Sequence, residues 1–288
     1  MAFLAVELQD KTGTVQARLP HLPERWEQLR DAPFVRALGA CRKAEPHEAR
    51  EGESELMVEL ASLEPVAHAD PRELYEHTPA DPDALLAELR RTFECEVEDA
   101  WVRRMLLAFL DDAPFVEKLK TAPAASSFHH AYVGGLLEHV ASLTRLALKV
   151  CEVYPRLDRS LMIAGVFLHD VGKVDELSWE RGLQYTDRGQ ILGHIAIGVL
   201  MLEDKIRAIP GFPSRLRDLL HHLILSHHGT KEFGSPVLPV TPEAIAVHHL
   251  DNVDGKLWSA WRAQDDPRGE PAWSPFNRHL GRKIYRGD

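Results

Sequence analysis

The spacing of apolar residues divides the chain into a β part and a helical part. In the first third, residues 3–8 and 14–19 are strand-like and flank a turn at residues 10–13. Gly13 admits a positive φ and Asp10 can accept bonds from the turn backbone, so a hairpin is predicted. A short helical stretch is expected over residues 24–29, followed by strands at 34–41 and 55–63 with an acidic loop, 45–53, between them. Four prolines, Pro65, Pro71, Pro79 and Pro82, then give residues 65–82 the composition of a linker. Beyond Pro82 the apolar spacing is helical throughout, predicting helices over 83–89, 100–110, 132–153, 159–169, 194–206, 214–226 and 242–261. Their breaks fall at Pro123, Pro155, Gly172, Gly189, Pro210 and Gly229, residues that end helices. The expected organisation is therefore two domains. A small β module spans residues 1–68, a Pro-rich linker 69–82, an all-α domain 83–264, and a docked, Pro/Gly-punctuated extension 265–288.

Composition narrows the function classes. With 44% hydrophobic and 27% charged residues, the 288-residue chain has the balance of a folded protein. Three widely spaced cysteines, Cys41, Cys95 and Cys151, supply neither a disulfide framework nor a thiolate zinc site. No apolar run reaches the roughly 20 residues of a membrane span, and residues 1–7 lack the features of a secretion signal. A cytoplasmic protein with no membrane partner is expected. The net charge of −10 sits mostly in the first part: residues 1–82 hold 9 Lys/Arg against 16 Asp/Glu. Such a surface does not grip nucleic acid broadly, so a polyanionic substrate must be met by metal ions or a few local cations.

Histidine carries the chemistry. Eleven of the 16 lie between His129 and His249. The run His169, Asp170, Val171, Gly172, Lys173 closes an apolar helix. At a frayed helix end an adjacent His and Asp can face one ion, and Gly172 lets the chain leave. Lys173 then sits where it can meet an anion held by that ion. His139, His194, the pair His227 and His228, and Asp251 each lie on a different predicted helix beside apolar residues. Burying so many polar side chains calls for a shared cation. Nitrogen and carboxylate donors suit manganese, cobalt, iron, nickel or zinc. Seven donors exceed one tetrahedral site. Two divalent ions roughly 3.5–4 Å apart, bridged by Asp170 and a hydroxide, would use them all. Phosphoester hydrolysis is the chemistry such a pair serves, with Asp170 and Lys173 as the catalytic residues. His130 is expected to face substrate, His221 and His222 to be outlying, and His248 or His249 to orient a ligand carboxylate. Trp258 and Trp261 are expected to pack between helices.

The order His139, His169-Asp170, His194, His227-His228, Asp251 resembles the HD superfamily of metal-dependent phosphohydrolases. The longer strings over residues 129–139, 192–198, 223–236 and 241–257 are similar to the YhaM-type 3′→5′ exoribonucleases, with the likeness running from about residue 85 to 260. That resemblance implies an OB-fold nucleic-acid-binding domain ahead of the HD domain, of which residues 1–68 would be an incomplete barrel lacking its first strand. The missing strand would lie upstream of Met1 or be supplied by another part of the chain or another subunit, which leaves oligomerisation open. It also implies release of nucleotides from 3′ ends of single-stranded RNA, and of single-stranded DNA as a second substrate, aided by manganese or cobalt. One ion would be held by His139, His169, Asp170 and Asp251. The second would be held by His194, His227 and His228, with Asp170 bridging. The alternatives are an HD phosphohydrolase of small nucleotides or cyclic dinucleotides, and a non-catalytic regulatory module. The Gly-Tyr-Pro that follows His-His in cyclic-dinucleotide enzymes is absent here. The acidic, aromatic-poor β module is not expected to hold RNA strongly, because single-strand binders use cationic grooves and stacking platforms.

Overall fold

The computed structural model describes the whole chain except residues 1–2, 12, 25, 33, 45–55, 68, 70, 126–129, 180–182 and 288. The acidic loop and His129 therefore fall outside the described residues. The described residues form two compact units that divide between His77 and Thr78, inside the stretch read as a linker. Thr78 is anchored to the helical unit: its N–H donates to the Val133 carbonyl at 2.9 Å and its hydroxyl to Glu138.

The first unit is built on a four-stranded sheet. Strands β1 (Leu4–Asp10) and β2 (Gly13–Leu19) form the predicted antiparallel hairpin. A six-residue helix, α1 (Trp26–Asp31), leads to β3 (Phe34–Lys43) and β4 (Leu56–Val66), which pair antiparallel. β4 also pairs in parallel with β2, giving the order β1-β2-β4-β3. The register slips between Leu38 and Gly39, where a side chain at Gly39 would collide with the Glu59 backbone. Ala17, Leu19 and Leu60 are buried here, backed by Leu4, Val6, Leu8 and Val58. The sheet is open, with β1 and β3 at its edges. A four-residue helix, α2 (Pro71–Leu74), follows within the proline-rich stretch.

The second unit is helical. Its helices are α3 (Pro82–Glu96), α4 (Ala100–Leu110), α5 (Ala113–Thr121), α6 (Gly135–Val153), α7 (Arg159–Leu168), α8 (Lys173–Glu176), α9 (Asp187–Arg207), α10 (Ser214–Ser226) and α11 (Pro242–Asp265). Asp81, Asp99, Asp112, Asp158, Thr186 and Thr241 cap their helices by accepting first-turn N–H bonds. Helix α6 starts at Gly135 and not at the expected residue 132, because Gly134 takes a left-handed conformation (φ 80°). Among the described residues, α5, the short α8 and a two-stranded ladder of β5 (Leu177–Ser178) and β6 (Gln184–Tyr185) were not among the expected elements.

Helix α7 is the axis of this unit. Every residue from Ser160 to Leu168 is buried, as expected of a helix enclosed on all sides. Phe167 meets Phe93 at 5.2 Å and Phe109 at 5.6 Å, both edge to face. Helices α6, α10 and α11 pack around α7, which brings their polar residues to its C-terminal end.

Candidate metal centre

His169 and His227 occupy equivalent local positions. Each is the C-cap of a helix, α7 and α10 respectively, and each turns its ring back along that helix. The Nδ1 of His169 lies 2.9 Å from the Val166 carbonyl, and that of His227 lies 2.7 Å from the Ile224 carbonyl. A carbonyl only accepts, so Nδ1 carries the proton and Nε2 presents a lone pair inward. His194 reaches the same state by another route. Gly193 interrupts α9 with φ 72° and ψ 155°, and His194 begins the segment that follows. There the Glu176 carboxylate accepts both the His194 N–H, at 2.8 Å, and its Nδ1, at 3.0 Å. His139, on α6, sets its Nδ1 2.8 Å from Asp254 Oδ2 on α11.

These rings surround the Asp170 carboxylate, which is 2% exposed. Asp170 Oδ2 stands 3.2 Å from His169 Nε2, while Oδ1 stands 3.5 Å from His194 Nε2 and 3.6 Å from His227 Nε2. Asp251 Oδ1 is 3.3 Å from His139 Nε2 and 3.8 Å from His169 Nε2. The donor atoms of His139, His169 and Asp170 lie within 4.8 Å of one another, as do those of His194, His227 and His228. Asp170 thus belongs to the first group and turns its Oδ1 toward the second.

Several of these atoms have no partner among the described residues. Asp170 Oδ1, His194 Nε2, His227 Nε2 and His228 Nδ1 are all buried and unbonded. His139 Nε2 and His169 Nε2 face each other at 3.3 Å, although both rings direct their Nδ1 proton elsewhere. Two opposed lone pairs repel unless a cation or proton lies between them. Donors sharing one ion at bond lengths of about 2.1 Å sit about 3.0–3.4 Å apart. The separations around Asp170 are 3.2, 3.5 and 3.6 Å, the first inside that range and the other two within 0.2 Å of its upper end. The residues therefore fit divalent cations, which would take the lone pairs the protein leaves unmatched.

Protonation follows the same logic. Burial keeps His227 and His228 below the usual imidazole range, so both are neutral at pH 7 and ready to coordinate. Burial also opposes a charge on His139, but the bonds to Asp251 and Asp254 outweigh it and raise its pKa to about 9. Burial opposes ionisation of Asp170 too, yet the Lys173 charge and neighbouring His169 hold its pKa well below the carboxylate norm. Lys173 Nζ is 2.6 Å from Asp170 Oδ2, which keeps the buried ammonium protonated.

All seven expected ligands, His139, His169, Asp170, His194, His227, His228 and Asp251, are thus brought together, with Lys173 beside them. His130 is placed differently from the expectation that it faces substrate. It is 5% exposed, with Nε2 3.2 Å from Asp254 and Nδ1 2.6 Å from the Tyr132 hydroxyl. Its ring lies behind His139 and is flanked by Trp258 at 5.6 Å. His248 bonds the His227 carbonyl at 2.8 Å, so it holds a main chain and not a ligand carboxylate. His222 accepts the Val240 N–H, and Trp261 is 57% exposed where packing between helices was expected. The sequence reading passed over Glu176 and Asp254, which orient His194 and His139. The available signal for Asp254 was its i+3 spacing from Asp251, which places both on one face of α11.

A family model described as the HD domain matches residues 136–256. The chain is 34% identical over 261 residues to the 3′-5′ exoribonuclease YhaM of Bacillus subtilis (strain 168), spanning 88% of this chain and 79% of that one. It is 33% identical over 260 residues to the 3′-5′ exoribonuclease YhaM of Shouchella clausii, covering 88% and 77% of the two chains. Identity to the protein of the same name from Listeria innocua is 33% over 257 residues, again covering 88% of this chain and 79% of the other. No solved structure matches the chain.

Proposed function

The chain belongs to the HD-domain family and, within it, to the YhaM 3′-5′ exoribonucleases, and from that premise we propose a route by which its residues release nucleotides from single-stranded 3′ ends. The chain is a metal-dependent 3′-5′ exoribonuclease. The observation that carries the mechanistic reading is the buried Asp170 carboxylate, whose Oδ1, with ring nitrogens of His194, His227 and His228, is buried and unbonded among the described residues.

His139, His169, Asp170 and Asp251 would hold one divalent cation, and His194, His227 and His228 a second, with Asp170 shared. Bound there, divalent cations supply Lewis acidity toward water and toward phosphate oxygens. The protein's own part is to fix the donors and control charge. The Val166 and Ile224 carbonyls, Glu176 and Asp254 each hold an Nδ1 proton, so the rings of His169, His227, His194 and His139 cannot turn their lone pairs away. Lys173 holds a positive charge against Asp170 Oδ2, where it neutralises negative charge building on the phosphoryl oxygens. Asp170 and Lys173 are accordingly the catalytic residues of this reading. Manganese and cobalt are the proposed ions, and single-stranded DNA is a second proposed substrate.

The N-terminal sheet is read as an incomplete OB-like barrel. The parallel contact between β2 and β4, in an otherwise antiparallel sheet, supports this reading. It leaves β1 and β3 as edges that one further strand would join into a five-stranded barrel. Residues 69–77 connect this module to the catalytic domain, and residues 265–288 extend the latter. A second copy of the chain is a proposed source of the closing strand, and the cytoplasm the proposed compartment.

Manganese-loaded protein is incubated with 5′-labelled single-stranded RNA, a cyclic dinucleotide and a simple phosphodiester, with Asp170→Ala alongside. The expected result is a descending ladder from the RNA that Asp170→Ala abolishes. Turnover of the small substrates alone would refute the exonuclease reading.

A further inference from the structure

The catalytic centre accounts for the terminal phosphodiester and leaves open what holds the strand behind it. The β module is a poor candidate, because residues 1–68 hold 8 Lys/Arg against 12 Asp/Glu, a net charge of −4. The opposite balance occurs after α11. Between Trp273 and Gly287 the sequence has Arg278, Arg282, Lys283 and Arg286 and no Asp or Glu.

This segment is folded into a hairpin. Trp273 pairs with Tyr285, and Asn277 with Arg282. The Asn277 side chain caps the tip by accepting from the His279 and Leu280 N–H groups. At the base, Arg286 donates to the Asp266 carbonyl, and Gln264 to the Tyr285 carbonyl at 2.6 Å, so the hairpin is tied to the end of α11. Alternation along the two arms turns Ser274 inward, where it is 1% exposed and bonds Ile284 at both N–H and C=O. The same alternation turns Trp273 and Tyr285 outward. Their rings meet at 5.2 Å with 43% and 51% exposure, and Phe276 is 60% exposed. Arg278 and Arg282 stand at the exposed tip, and the bond of the Arg282 guanidinium is to the Leu280 carbonyl, with no carboxylate against it among the described residues.

We propose that the hairpin of residues 272–286 is the stacking and phosphate-binding platform for the upstream part of a single-stranded RNA substrate. The proposal rests on the exoribonuclease reading. Exposed aromatic rings interleaved with guanidinium groups are the surface a single strand requires, with bases on the rings and phosphates on the cations. The charge is complementary to a polyanion and is the reverse of that of the β module. Helix α11 carries both Asp251 and this hairpin, and rises about 21 Å between Asp251 and its end at Asp265. The platform therefore engages nucleotides several positions upstream of the bond being cut.

The test measures binding of the full chain to a labelled single-stranded RNA about 20 nucleotides long, longer than the ~4–16 nucleotides of known single-strand sites. Fluorescence anisotropy is read in EDTA, so hydrolysis does not intervene. Arg278→Glu/Arg282→Glu is compared with a charge-matched control on another surface, Lys149→Glu/Arg156→Glu, and thermal melts verify that each is folded. The expected outcome is about tenfold weaker binding than the control, with the slope of log affinity against log salt reduced by about 1.4. Trp273→Ala/Tyr285→Ala should weaken binding by about tenfold with the salt slope retained. Equal binding by the tip variants and the control would overturn the proposal, as would no binding by the unaltered chain. A change in sedimentation with RNA binding intact would also overturn it, identifying the hairpin as an interface between copies. A parallel manganese assay isolates the underlying reading: no RNA hydrolysis by the unaltered chain would sink the nuclease assignment whatever the binding data show.

Discussion

Replacing Asp254 tests whether the buried carboxylates behind the ligands set metal affinity. Its Oδ2 accepts from His139 Nδ1 at 2.8 Å and lies 3.2 Å from His130 Nε2. A hydrogen bond to a charged group contributes about 1.5–3 kcal/mol. Asp254→Ala also strands a His139 proton in a fully buried position, so metal affinity should fall roughly ten- to a hundredfold. The pH dependence is the sharper signature. In the metal-free protein His139 titrates at about 9, so below that pH a cation must displace its proton. Affinity at this site therefore rises with pH, by about tenfold per unit, until pH 9 is reached. Without Asp254 the opposing effect of burial gains ground, His139 is neutral at lower pH, and the proton no longer competes. The loss should thus be smallest near pH 6.5 and grow by up to about a hundredfold by pH 8.5, a factor of ten for each of the two units. Chelator-competition titrations of manganese across that range, on unaltered protein, Asp254→Ala and Asp254→Asn, measure it directly. Asn keeps an acceptor but loses the charge, and should fall between the other two. Parallel affinity–pH lines for the unaltered protein and Asp254→Ala would refute the reasoning, even if affinity dropped.

Three further outcomes are expected. Lys173→Ala should lower kcat on RNA by about 10²–10³-fold, the range for removing a charge-stabilising donor. Metal content measured by mass spectrometry should be nearly unchanged, and loss of metal would place Lys173 among the structural supports of Asp170 instead. Gly193→Ala forces a side chain onto a backbone at φ 72°, at a strain of about 1–2 kcal/mol, and should lower Tm by about 2–8 °C. Because the residue precedes His194, weaker metal binding should accompany the lower Tm, and a normal affinity would show that the kink does not set the ring. Phe167→Ala opens the aromatic centre against Phe93 and Phe109 and should cost about 3–5 kcal/mol in urea unfolding.

The parts legible in the sequence were those governed by local pattern. The hairpin of β1 and β2, the helical second unit, and a set of candidate ligands on separate helices all follow from residue spacing. His169 and Asp170 were placed at a frayed helix end, and the C-cap geometry of His169 is that end. What escaped depended on pairings between distant elements. Glu176 lies on a four-residue helix too short to give a periodic signal, and it becomes a partner of His194 through the fold, 18 residues along the chain. Asp254 meets His139 from 115 residues away. His130 looked like a substrate residue because it is polar and precedes a ligand helix. The fold instead turns it inward, where Tyr132 and Asp254 satisfy both ring nitrogens. Trp261 shows the converse: an aromatic on a helix was expected to pack, and tertiary structure left it exposed.

Charge around the centre explains how an acidic protein can act on a polyanion. Asp170, Asp251, Asp254 and Glu176 all stay ionised at neutral pH, because neighbouring cations and hydrogen bonds overcome the effect of burial. Lys173 offsets one of these charges. Once a cation has displaced the His139 proton and the imidazoles are neutral, these groups carry −3 before the cations are counted, a charge that cannot remain uncompensated in a buried site. The C-terminal ends of α7 and α10 also point here, adding the negative ends of two helix dipoles. A single divalent cation would leave the carboxylate cluster at −1, still unfavourable to an incoming phosphodiester. Two would bring it to +1, which the single negative charge of one phosphodiester neutralises. On this reasoning the same carboxylates that hold the imidazoles in place also set the number of cations needed before the scissile phosphodiester can enter the centre, while the upstream strand is held without them.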